Sequence, residues 1–207
     1  MRAPRVLAES PGDHLFVMSY LPPEAYPNWK AELMAGRIDP AFAAAVGRDL
    51  AFVHGKTAYA AAVARDFGHG AMFKALRIEP YLLHTATRHT DLAERLTALA
   101  GETLETAIAL VHGDVSPKNI LVGPEGPVFL DAECAWFGDP AFDLAFCLAH
   151  LVLKAVWRPE LRGKSVHAGR ELGASVYRLT LHRTSPASRG ERLKLRRGRE
   201  LRARQHD

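Results

Sequence analysis

The feature that most limits what this chain can become is a single stretch, LVHGDVSPKNILVGPEGPVFLDAECAWFGDPAFDLAFCLAHLVL, from Leu110 to Leu153. It sets four aspartates, two glutamates, two histidines and an asparagine among Leu, Val, Ile and Phe. Charged side chains go inside a fold only with partners, so these either cap turns or converge on chemistry. The period changes along the stretch. AIALVH reads as a strand, GDVSPKN as a loop and ILV as a short strand. GPEG (Gly123 to Gly126) is a tight turn, and PVFLD is its partner strand. From Pro140 onward, AFDLAFCLAHLVLKAVW is apolar on nearly every face, as a fully buried helix is.

Asp114 and Asn119 lie five apart on the loop, and Asp131 follows past the turn. Pairing of the two short strands brings Asp131 back beside that loop. Carboxylate and amide oxygens converging there are hard ligands of the kind that suit Mg²⁺, which fills its shell with water and substrate phosphates. Asp114 is then free to orient an attacking hydroxyl and accept its proton.

Elsewhere the chain supplies a scaffold. HLFVMSYL (His14 to Leu21) is a β-favouring run that ends at Pro22-Pro23. Asp39-Pro40 reads as a helix start, and Phe42, Val46, Leu50 and Val53 make its apolar stripe to about His54. A second helix is expected from Thr90-Asp91, carrying Leu92, Leu96 and Leu99 and stopping at Gly101. Nothing repeats internally, and no run reaches the ~18 apolar residues of a membrane span. Cys134 and Cys147 fall in apolar segments and read as buried free thiols of a cytoplasmic protein.

The net charge of +4 divides unevenly. Residues 1–159 carry 14 Lys and Arg against 18 Asp and Glu, while residues 160–207 carry 13 against 5. The basic character belongs to the last 48 residues. Contact with nucleic acid is therefore expected only as non-specific attraction by that tail. Two units are expected: a folded domain over 1–159 and a basic, disordered tail over 160–207.

His112-x-Asp114-x4-Asn119, followed by a strand pair and Asp131, resembles the catalytic and metal-binding segments of protein-kinase-like phosphotransferases. HGD, then LDAE and GDPxxDLA, resembles the aminoglycoside phosphotransferase and choline kinase branch, which phosphorylates small molecules. FVMSYLPP is similar to the hinge between lobes, LAFVH to the helix before the catalytic loop, and FKALRIEPYL to methylthioribose-kinase-like members. The resemblance implies an α+β, protein-kinase-like fold, mainly the helical C-terminal lobe with a small β-hairpin at the catalytic site. It implies ATP and Mg²⁺ as cofactors, and a small-molecule acceptor with a hydroxyl. Asp114 becomes the catalytic base, and Asn119 and Asp131 become the Mg²⁺ ligands. Leu121 would lie under the adenine, and the backbone of Ser19, Tyr20 and Leu21 would bond its edge. His112 and Asp143 are expected to brace the loop. Lys118 stands where the protein-kinase pattern has no lysine, which leaves a phosphate contact and a solvated lysine both open.

Such enzymes also carry an N-terminal lobe with a glycine-rich loop and a phosphate-gripping lysine. No glycine-rich loop precedes His14, so the chain reads as lacking most of that lobe and as impaired in turnover. The Arg-rich end reads as a divergent terminus or another reading frame. The rival readings are an inactive nucleotide-binding remnant and a metal-dependent phosphohydrolase using His112, Asp114 and Asp131.

Overall fold

The computed structural model describes residues 1–183, with side chains through Val176. Strands β1 (Val6–Ser10) and β2 (Leu15–Met18) form an antiparallel hairpin, with Glu9 opposite Phe16 and Ser10 opposite Leu15. Helix α1 (Trp29–Met34) follows. Helix α2 (Pro40–Thr57) starts as its sequence requires: the Asp39 carboxylate accepts the Ala41 N–H at 2.8 Å, with Pro40 in the first position. Phe42, Val46 and Leu50 are buried along it, and the helix continues three residues past His54.

Beyond α3 (Ala61–Asp66), one helical run joins α4 (Ala71–Phe73), a π-helical segment Lys74–Leu83 and α5 (His84–Arg88). Helix α6 (Ala93–Glu105) passes straight through Gly101, which was expected to stop it. Glycine costs a helix interior only about 1 kcal/mol relative to alanine. Burial of Ala100 and Thr103, with Leu104 packed beside them, outweighs that. Leu92 and Leu99, expected as the packing face, are exposed instead.

The three expected strands of the site region form, but they fall into separate two-stranded sheets, and the first pairs with a strand that was not expected. Strand β3 (Ala109–Val111) pairs antiparallel with β6 (Trp136–Gly138), and β4 (Ile120–Gly123) pairs with β5 (Gly126–Phe129) between them. Helix α7 (Ala141–Trp157) follows. It is not buried all round: Val152, Leu153, Val156 and Trp157 are exposed on one side, while Asp143, Cys147, Leu151 and Ala155 face the interior.

Order continues where a tail was expected. Helix α8 (Arg162–Arg183) packs along α2 and α7, and Ala168 and Leu172 are fully buried in the main core. This corrects the boundary at residue 159. The approach is close because Gly47 of α2 has no side chain: a Cβ there would lie 2.4 Å from the Leu172 carbonyl oxygen. Ala168, Leu172 and the gap at Gly47 bring α8 in, without a broad apolar stripe. The part of the expected tail beyond residue 183 lies outside the described residues.

The fold is α+β and mostly helical, with two apolar clusters among the described residues. One joins Trp29, Leu33, Phe42, Val46, Leu50, Ile120, Phe129, Cys147, Leu151 and Leu172. The other joins Phe73, Ile78, Ala100, Val111, Cys134 and Trp136. The loop 112–119 runs out of β3 in the second cluster and into β4 in the first.

Candidate active site

Almost all of the loop from His112 to Asn119 is buried, Lys118 being the exposed exception. Buried backbone N–H groups need acceptors, and here one carboxylate supplies them. Asp143, wholly inaccessible in the first turn of α7, accepts the N–H of His112 at 2.9 Å on Oδ2 and of Gly113 at 2.9 Å on Oδ1. His54 Nε2 of α2 meets Asp143 Oδ2 at 2.9 Å. A helix from each side thus grips the same turn, and Asp143 anchors it. Gly113 makes the turn possible: its φ is +78°, and a Cβ would lie 2.6 Å from the Cys134 carbonyl oxygen. His112 braces the turn as well, its Nδ1 accepting the Asp114 N–H at 3.3 Å.

Asp114 is 2% exposed, and three donors converge on its Oδ2. Asn119 Nδ2 lies at 2.7 Å, Arg77 Nη2 at 2.8 Å and Lys118 Nζ at 3.2 Å. No described hydrogen bond or ion pair reaches Oδ1. Sequence reasoning missed Arg77, which is itself 8% exposed. Its Nε donates to the Gly113 carbonyl at 2.8 Å and its Nη1 to the Leu76 carbonyl at 2.8 Å. The π-helical segment presents it. The available signal was an arginine between Leu76 and Ile78 in an otherwise core-like run. Lys118 is neither free nor buried: its side chain is exposed, and its ammonium pairs with Asp114.

Asn119 and Asp131 come together through the backbone. The Leu130 N–H donates to the Asn119 carbonyl at 2.9 Å, and Asp131 follows with φ +64°, exposed. Asn119 turns its amide nitrogen to Asp114, donating to the backbone carbonyl at 3.2 Å as well as to Oδ2. Its amide oxygen accepts no described hydrogen bond. Among the described residues no group of three or more His, Cys, Asp or Glu could hold a metal. One amide oxygen and one carboxylate, with the rest of the shell from water and substrate phosphates, fit Mg²⁺ and do not fit a soft-metal cage.

The residues expected at the adenine are less concentrated. A cleft of about 620 Å³ is lined by Ser19, Leu21, Tyr26, Gly123, Val128 and the first five residues. Tyr20, Leu121, Asn119, Asp131 and Asp114 are not in its lining. The Ser19 N–H already donates to the Arg5 carbonyl at 2.8 Å, and Ser19 Oγ accepts the Arg5 N–H at 2.9 Å. Tyr20 is 81% exposed, and Leu121 is half-buried, bridged to Asn28. Asp114 and Asn119 therefore form one constellation with Arg77 and Lys118, and Ser19 and Leu21 line a separate cleft.

The phosphotransferase enzyme family matches residues 1–179. No curated protein matches the sequence. Among solved structures, a choline/ethanolamine kinase family protein from Mesorhizobium loti is similar at 18% identity and a TM-score of 0.45, covering 90% of this chain and 76% of that one. Choline kinase LicA from Streptococcus pneumoniae is similar at 17% identity and a TM-score of 0.44, covering 86% of this chain and 65% of that one.

Proposed function

The chain belongs to the phosphotransferase enzyme family, and on that premise we propose that it transfers the γ-phosphoryl group of ATP to a hydroxyl of a small molecule. The observation that carries this reading is the fixing of Asp114 Oδ2 by Arg77, Lys118 and Asn119. A carboxylate held on one oxygen offers the other to an incoming hydroxyl at a set angle. Asp114 Oδ1 orients that hydroxyl and takes its proton as the bond to phosphorus forms. Lys118, exposed yet anchored on Asp114, places a positive charge beside the transferred group.

Asn119 and Asp131 would hold Mg²⁺, which neutralises phosphate charge when bound. The Ser19–Leu21 segment and Leu121 would flank the nucleotide base. Cys134 and Cys147 are buried free thiols, which supports a reducing, cytoplasmic setting. No helix among the described residues is long and apolar enough to cross a membrane.

The test is coupled ADP release with Mg²⁺ and ATP across hydroxyl-bearing acceptors, with Asp114→Asn as the comparison. Acceptor-dependent ADP release should fall about 10²–10⁴-fold in the variant, the range for loss of a general base. Equal turnover by Asp114→Asn would sink the assignment. Phosphate release that needs metal but neither ATP nor acceptor would support the phosphohydrolase reading instead.

A further inference from the structure

The reaction outlined above leaves a group of cations unused. Asn28 Nδ2 donates to the Lys118 carbonyl at 2.7 Å, which seats the start of α1 against the loop, with Lys30 two residues on. At the other end of α1, Arg158 Nη1 donates to the Met34 carbonyl at 3.0 Å, tying α1 to the end of α7. Trp29 and Leu33 belong to the same core cluster as Cys147 and Leu151, so each helix turns one side toward that cluster. Lys30 and Lys154 each stand one turn before that tie. Neither has an ion-pair partner among the described residues.

Lys154 is half-buried. Burial, and next the charge of Lys30, hold its ammonium below the usual lysine range. One turn earlier, half-buried His150 is lowered by burial and then by Lys154, with Asp114 opposing and Lys118 and Lys30 adding to the effect. An aromatic path joins this patch to the base. The His150 ring meets Phe146 at 5.0 Å, Tyr81 meets Phe146 at 5.3 Å, and the Arg77 guanidinium lies 5.9 Å from the Phe146 centroid. Of the acids nearby, Asp114 is already paired twice, and Glu79 lies 4.0 Å from Lys74. Asp131 and Glu133 are exposed on the metal side of the loop.

A half-buried lysine that feels the charge of a second lysine, with no described counter-charge, favours an anion supplied from outside. We propose that the acceptor is an anionic hydroxyl compound, its carboxylate or phosphate held between Lys30 and Lys154 beside His150 while its hydroxyl meets Asp114. Cationic acceptors such as choline would find two unpaired ammonium groups there and no free carboxylate. The inference rests on the phosphotransferase reading for the hydroxyl, but the anion site can be measured without it.

Calorimetry on the full chain would compare sn-glycerol 3-phosphate, D-glycerate, glycerol and choline. At least one of the two anions should bind about tenfold more tightly than glycerol or choline, a difference of about 1.4 kcal/mol. The stronger of the two identifies phosphate or carboxylate as the group held. Lys30→Gln, at an exposed position, and Lys154→Gln should each weaken that anion about fivefold or more. Choline binding as tightly as the anions, or anion affinity unchanged in both variants, would overturn the proposal. Lysine-dependent anion binding without ADP release from any acceptor would leave the anion site standing and defeat the phosphotransferase reading.

Discussion

The loop 112–119 keeps His112, Asp114, Ser116 and Asn119 inside the protein, whereas the β1–β2 hairpin keeps Leu15, Phe16, Val17 and Met18 outside it. In the hairpin, Val6, Leu7 and all four residues of β2 are between 48% and 66% exposed, so both of its faces meet solvent. By polarity alone the two segments should change places. They do not, because burial follows partners. Asp143 takes the loop's His112 and Gly113 amides and is itself held by His54, while Arg77 and Asn119 pair with the Gly113 carbonyl and the Asp114 carboxylate. Only His112 Nε2 and Ser116 Oγ stay buried there without a described hydrogen bond. The hairpin has its own ladder and a tie to Arg5, but no described layer lies over it.

The sharpest way to break this contrast is to remove the anchor. Asp143→Ala leaves the His112 and Gly113 amides and His54 Nε2 without their acceptor inside the protein. Each unsatisfied group costs about 1–3 kcal/mol, and a total near 3–5 kcal/mol is expected. Thermal unfolding followed by circular dichroism should show a midpoint lower by about 6 °C or more. A shift under about 2 °C would mean that the loop does not depend on that carboxylate.

Gly113→Ala should come next. The left-handed backbone costs an alanine about 1–2 kcal/mol. The Cβ would also be driven into the Cys134 carbonyl at 2.6 Å, so a loss of at least about 2 kcal/mol is expected. Urea titration measures it. Stability within about 0.5 kcal/mol of the parent would mean that the turn has another conformation.

The smallest effect belongs to the hairpin. Phe16→Lys, at a side chain 61% exposed, should change stability by no more than about 0.5 kcal/mol. The same urea titration decides it. A loss as large as that of Asp143→Ala would show that the hairpin is covered in solution, and the contrast would fail.

What could be read in advance follows the same division. The start of α2 was legible because Asp39-Pro40 acts locally, and the β4–β5 hairpin because its turn residues do. The meeting of Asp114 with Asn119 was legible because one loop carries both, and the return of the chain next to Asp131 because the hairpin turn is local. Arg77 was not, since a π-helical segment 36 residues before Gly113 delivers it and no short pattern marks that path. Helix α8 was missed because its contact with α2 uses Ala168, Leu172 and the gap at Gly47 in place of a broad apolar stripe. The exposed face of α7 was missed for the opposite reason. Val152, Leu153, Val156 and Trp157 look like core residues, and only the position of their neighbours shows that they are not.

The two cysteines happen to divide the interior between them. Cys134 sits in the smaller apolar cluster directly beneath Gly113, 1% exposed, its thiol raised chiefly by burial. Cys147 sits in the larger cluster on α7, fully enclosed, its thiol pushed up to about 12 by burial and then by Asp143. Neither can exchange with a disulfide reagent until its surroundings part, since only the exposed thiolate reacts. The two reaction rates therefore keep separate time. One clocks how often the loop above Cys134 lifts, and the other how often α7 leaves the main core, so the protein carries its own pair of stopwatches for local and global opening.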